Sequence, residues 1–191
     1  MLGILMKLAD FLIYKQNHFL KILKERKCEI DNPENYLRET AKLYKELNID
    51  DDEYFFVLLH LVGRRYCVTV GDIVDFFGLD PNSVLYISRK ISRKLNMKFK
   101  WNLDVCIKRI CEYCDINEDE AQVTLKKFIS FFGSGRLDVL LTFSAGFIYG
   151  CDVTDLFGIS TSALKYHLKN ILFGQLNFQQ TSEYKKTDAD S

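Results

Sequence analysis

The stretch Gly71-Asp72-Ile73-Val74-Asp75-Phe76-Phe77-Gly78-Leu79 has a counterpart about 80 positions later, Cys151-Asp152-Val153-Thr154-Asp155-Leu156-Phe157-Gly158-Ile159. Both runs space their apolar residues as a helix does and end on a glycine followed by an aliphatic residue. That order marks a short helix stopped by glycine before the chain turns into a second helix. The match continues through Tyr86 with Tyr166 and Ile91 with Ile171, then with a slip of one residue through Leu95-Asn96-Met97 and Leu176-Asn177-Phe178. A repeat at this period points to an internal duplication in which each half is one helical unit.

Helix signals extend outward from the repeat in both directions. Asn32-Pro33 and Asp80-Pro81 each place a capping side chain before a proline at the first helical position, where the missing N–H costs nothing. They open helices expected to run to about Leu47 and Leu95. Between them the pattern predicts helices from Asp52 to Tyr66 and from Val70 to Phe77, and before them one long amphipathic helix from Leu2 to Lys27. The second half is expected to repeat the set with Leu103 to Cys114, Glu118 to Phe132, Leu137 to Tyr149, Val153 to Phe157, and Thr161 to Leu176 behind a Ser160 cap. In each half the short helix, the glycine turn and the longer capped helix form a helix-turn-helix pattern, whose second helix fits a major groove.

Composition agrees with an all-α fold and excludes other classes. The 191 residues are 48% hydrophobic and 14% aromatic, enough to bury a core, and only two prolines and ten glycines punctuate them. The most apolar stretch, Leu2 to Leu23, is interrupted by Lys7, Asp10, Lys15 and Lys21, so it is too polar to span a bilayer and lacks the order of a signal peptide. An intracellular protein is expected, cytoplasmic or, in a eukaryote, nuclear. The cysteines at 28, 67, 106, 111, 114 and 151 mostly lie in apolar helical patterns, which argues for free thiols and against a disulfide framework. Cys111 and Cys114 form a C-x-x-C, but structural zinc needs four ligands and His18, His60 and His167 are far away in sequence.

Charge is balanced overall, 26 Lys+Arg against 26 Asp+Glu, and segregated locally. From Ser83 to Lys100 the cations Arg89, Lys90, Arg93, Lys94, Lys98 and Lys100 occur without a carboxylate and are flanked by Tyr86 and Trp101. In the second copy Lys165, His167 and Lys169 stand among neutral residues. Such faces neutralise phosphates and release counterions. Acids gather instead at Asp50-Asp51-Asp52-Glu53 and at Glu118-Asp119-Glu120. The bland reading is that these charges complement helix ends, acids at N-termini and bases at C-termini.

These residues resemble a family. Glu39 to Lys45, Val57 to Arg65, Val70 to Leu79 and Tyr86 to Asn96 look like the first cyclin-like repeat of archaeal transcription factor B and eukaryotic transcription factor IIB, and Leu140 to Tyr149 with Val153 to Lys165 look like the second. The resemblance covers roughly residues 5 to 178. It implies two five-helix cyclin folds, residues 1–100 and 101–178, clamping a complex of TATA-binding protein and promoter DNA, with a polar tail at 179–191 expected to be disordered. By position, the base-reading residues of the family fall on Ser162 and Lys165, with Thr161 and Lys169 suited to phosphate contact. The family has arginine where Lys165 stands, and lysine gives up the bidentate guanine contact. Members also carry an N-terminal zinc ribbon that this chain does not show, so polymerase recruitment is in doubt.

Enzymatic signals are poor. The three histidines have no partnered nucleophile in sequence, and Gly133-Ser134-Gly135-Arg136 lacks the Gly-Lys-Ser/Thr ending of a phosphate loop. Asp115, Asn117 and Asp119 start like a calcium loop, but Glu120 stands where glycine is required. No cofactor is expected. Two rivals to the DNA clamp remain: a cyclin-like adaptor for protein partners, and a dimeric helix-turn-helix repressor with the Leu2 to Leu23 helix as its seam. A clamp duplicated within one chain is expected to be a monomer.

Overall fold

Side-chain caps and glycine stops divide the chain into ten helices in the computed structural model, which describes residues 7–132 and 136–170. All regular structure among these residues is helical. The first helix, α1, combines Leu8–Asp10, a π-helical turn Phe11–Lys15 and Gln16–Glu25. It is therefore not the uninterrupted α-helix that the periodicity predicts, and packing explains why. In a plain α-helix, residues eight apart lie about 80° apart around the axis, and the extra residue of a π turn reduces this to about 20°. Phe11 and Phe19 thus face one core, 5.8 Å apart between ring centroids, and Phe11 also meets Phe55, Phe56 and Phe77.

The other helices start close to where the sequence places them. Helix α2 (Pro33–Leu47) is capped by Asn32, whose Oδ1 accepts from Asn35 N at 2.9 Å. Helix α3 (Asp52–Gly63) is buried continuously from Phe55 to Gly63 and runs into a 3-10 turn, Arg64–Tyr66. Helix α4 (Val70–Phe77) begins with a capping box between Thr69 and Asp72, and α5 (Pro81–Lys94) is capped by Asp80. The second half has α6 (Leu103–Cys114), α7 (Glu118–Phe132), α8 (Leu137–Tyr149), α9 (Thr154–Phe157, one residue shorter than expected) and α10 over 161–170, where Ser160 Oγ accepts from Ala163 N. The portions of the first and last helices expected at 1–6 and 171–176, the glycines of the Gly133 turn and the expected tail lie outside the described residues. No helix among the described residues is long and apolar enough to cross a membrane.

Apolar side chains form two clusters. One draws on α1 to α5; the other draws on α6 to α9 and takes Cys67 from the first half, with Ala163, Leu164 and Leu168 of α10 packed against it. Helices α4 and α9 join the clusters at a close backbone contact. A Cβ on Gly71 would sit on the backbone oxygens of Asp155 and Leu156, and one on Gly158 would come 2.7 Å from Gly71 N. The Thr69 hydroxyl donates to the Leu156 carbonyl across the same joint.

A buried ion pair closes the joint. Arg109 of α6 donates Nη1 to Asp72 Oδ2 at 2.7 Å and Nη2 to Oδ1 at 2.8 Å, with both side chains 1% exposed. Two further donors go to the carbonyls of Arg26, at 3.1 Å, and Cys67. Asp72 also accepts from Thr69 N and pairs with Arg26 Nε at 3.2 Å. Burial pulls against the charged guanidinium, but the Asp72 carboxylate outweighs it and holds Arg109 above the ordinary arginine range. Replacing Asp72 by Asn would leave a buried charge without its counterion, and loss of about 3–5 kcal/mol is expected in urea unfolding. The double variant Asp72→Asn, Arg109→Met should recover part of that loss.

The cysteines require a correction. Cys28, Cys67, Cys106 and Cys111 are buried free thiols as expected, but Cys114 is bonded to Cys151 across 37 residues, with Cα atoms 6.0 Å apart. The end of α6 and the residue leaving α8 are distant in sequence, so only the tertiary fold brings this pair together. Burial pushes the Cys28, Cys67 and Cys111 thiols up and keeps them unreactive. Closing a loop of this length is worth about 4 kcal/mol in chain entropy. Reductant should lower the urea midpoint of the wild-type chain and leave that of Cys151→Ser unmoved.

Candidate nucleic-acid interface

The turn from α4 into α5 runs through Gly78, whose φ of +69° is the left-handed conformation that glycine adopts without strain. Beyond it, α5 buries Val84, Ile87, Ser88 and Ile91, leaving Tyr86, Arg89, Lys90, Arg93 and Lys94 exposed on the other face, with Lys98 exposed after it. None of these cations forms an ion pair among the described residues. Lys90 lies 4.5 Å above the Tyr86 ring, and its hydrogen bond to Tyr86 raises the ammonium above its usual range.

The second turn runs through Gly158, φ +65°, into α10. Thr161, Ser162, Lys165 and Lys169 are all exposed there. Ser162 Oγ lies 3.2 Å from the capping hydroxyl of Ser160, and Lys165 follows three residues later on the same face. Every residue expected to touch DNA is therefore at the surface, and the cations of α5 look to two sides of their helix. Lys90 and Lys94 border a hollow containing Leu47, Ile49 and Tyr54, whereas Arg89 faces the second half and Arg93 borders both sides.

On the inner side lies a cleft of about 490 Å³, lined by Arg64, Arg89, Arg93, Trp101, Arg136 and Asp138 among others. Sequence reasoning missed Arg64 and Arg136 as site residues. Each adjoins a helix end, Arg64 after α3 and Arg136 before α8, and their common signal was only a cation beside an apolar helix. Trp101, expected to flank the basic face, is half-buried, with the Arg64 guanidinium 5.3 Å from its ring and Phe157 against its edge. Arg136 donates to both oxygens of Asp138 and lies with Nη1 3.3 Å from His167 Nε2.

His60 is fully buried at the base of this arrangement. Its Nδ1 donates to the Val68 carbonyl at 2.8 Å, while Nε2 accepts from Arg64 Nε at 3.3 Å. Burial first, and Arg64 second, hold His60 well below the usual imidazole range, so the ring is neutral. His167 is lowered by partial burial and then by Arg136. Among the described residues no three His, Cys, Asp or Glu side chains gather where a metal ion could be held.

No protein-family model, curated protein or solved structure matches the chain. Functional assignment consequently rests on the residues themselves.

The histidines carry a pH signature. Below about pH 6.5 the unfolded chain takes up protons that folded His60 refuses, so stability is present above that pH and is lost as pH falls. Urea unfolding between pH 7 and 5 should show a slope of up to about 1.4 kcal/mol per pH unit from this residue. His60→Gln should flatten it.

Proposed function

We propose that the chain is a DNA-binding transcription factor resembling the transcription factor B core, which binds double-stranded promoter DNA together with TATA-binding protein to support or regulate initiation. The observation that carries this reading is the carboxylate-free cationic face of α5, set behind a glycine turn in a helix-turn-helix frame that α9 and α10 repeat. The order of helices supports an internal duplication: 15, 12 and 8 residues in α2 to α4 stand against 15, 13 and 4 in α7 to α9. On this reading α10 reads bases through Ser162 and Lys165, Thr161 and Lys169 touch phosphate, and Arg89, Lys90, Arg93, Lys94 and Lys98 hold the backbone on the other side. The chain acts as a monomer, because the duplication supplies its pseudo-symmetry internally.

A protein-binding adaptor is the second reading, favoured by the aromatic group on α7 and α8. Phe143 stacks on Phe147 at 5.5 Å and meets Phe128 at 5.7 Å, with Phe147 72% exposed. A dimeric repressor has less support, since α1 commits Phe11, Phe19 and Leu23 to the first core.

Fluorescence anisotropy on a TATA-containing duplex, with and without TATA-binding protein across a salt titration, separates these readings. Binding that weakens steeply with salt and is enhanced by that partner is expected; salt-insensitive binding to protein alone would favour the adaptor. Replacing Arg89, Lys90 and Arg93 together by Ala should reduce the log–log salt slope by about two to three and weaken all sequences alike. Lys165→Ala should change preference at one or two base pairs instead.

A further inference from the structure

We infer that the cleft between α5 and the start of α8 is a seat for a phosphoryl group, and that the group it takes is a backbone phosphate of nucleic acid held between the two halves. The inference rests on the DNA-binding reading for the source of the phosphate, but not for the chemistry of the seat. Four guanidinium groups, from Arg64, Arg89, Arg93 and Arg136, line this one cleft. Its one lining carboxylate, Asp138, is almost buried and is taken on both oxygens by Arg136. Arg64, Arg89 and Arg93 form no ion pair among the described residues.

Arg64 makes the demand for an anion specific. It is half-buried, and its partners are neutral: His60 Nε2, the Phe99 carbonyl at 3.3 Å and the face of Trp101. Burial lowers its proton affinity and Arg136 adds to that, while the Asp138 carboxylate, already held by Arg136, offsets it only in part. An arriving anion would remove the remaining cost. Helix α8 begins in the same cleft, with Leu137 and Asp138 on its wall and no side-chain cap on its first N–H groups, so its dipole also favours negative charge there.

Charge and shape select phosphate over carboxylate. Guanidinium forks from opposite walls suit a tetrahedral group with several acceptor oxygens, whereas one carboxylate satisfies one fork. At about 490 Å³ the cleft also exceeds a lone phosphate and leaves room for an attached sugar.

Trp101 is the only tryptophan of the chain and lies against Arg64, so its fluorescence reports on the cleft directly. Titrating the full chain with inorganic phosphate at constant ionic strength should give a saturable change that acetate does not produce. Arg93→Gln and Arg136→Gln should each weaken it about tenfold, and Lys45→Gln on α2 should not. Arg93 is exposed, so its variant keeps the test valid if an Arg64 replacement fails to fold. No saturable response, or an equal response to acetate, would overturn the seat and favour an acidic protein segment. The source is tested separately: Arg136→Gln should lower the salt slope of duplex binding by about one. Phosphate binding without any duplex binding would remove the DNA-binding reading and the nucleic-acid source while leaving the phosphoryl seat. Duplex binding with a slope unchanged in Arg136→Gln would leave that reading and overturn this placement of the phosphate.

Discussion

The Asp72–Arg109 pair is the interaction on which the arrangement of the two halves depends. Asp72 serves its own helix as the third residue of a capping box, and it serves the other half as the counterion of a buried arginine. A single carboxylate therefore joins the start of α4, the end of α1 through Arg26, and the middle of α6. Ion pairs of this kind add little net stability over an apolar filling, but they tolerate few geometries. The glycine contact between α4 and α9 supplies the attraction of close packing, and the ion pair selects the orientation in which it occurs.

Much of the fold was legible because its signals are local. Asn32-Pro33 and Asp80-Pro81 begin their helices through contacts spanning three residues, and Gly78 and Gly158 end theirs through a backbone preference of one residue. What could not be read depends on contacts distant in sequence. The π turn in α1 exists because Phe11 and Phe19 must share a core with Phe55 and Phe77, and the Cys114–Cys151 bond exists because the ends of α6 and α8 meet. The exposed cations of α5 and α10 were likewise visible as runs without carboxylates. Arg64 and Arg136 were not, because each becomes a cleft residue only when α3, α5 and α8 converge.

The two aligned motifs are put to different uses. Asp72 is buried at the joint, whereas its counterpart Asp152 is exposed and accepts from Thr154 N and Oγ1 at the start of α9, which keeps its carboxyl below the usual range. Gly71 allows contact of two backbones, while its counterpart Cys151 carries the disulfide. The same two positions thus fasten one half to its neighbour and the other half to itself.

The glycine contact also bears on how the molecule can change. Neither half has spare room at Gly71 or Gly158, since the first side-chain atom on either would displace backbone of the other half. A new side chain on one surface must be matched by a retreat of the opposite one, so the two surfaces are constrained to drift as a single unit. Separating the halves would strip Asp72 of Arg109 and bare a strip of main chain shaped for one complement, which makes the pair, and not either half alone, the smallest piece that can be transplanted intact.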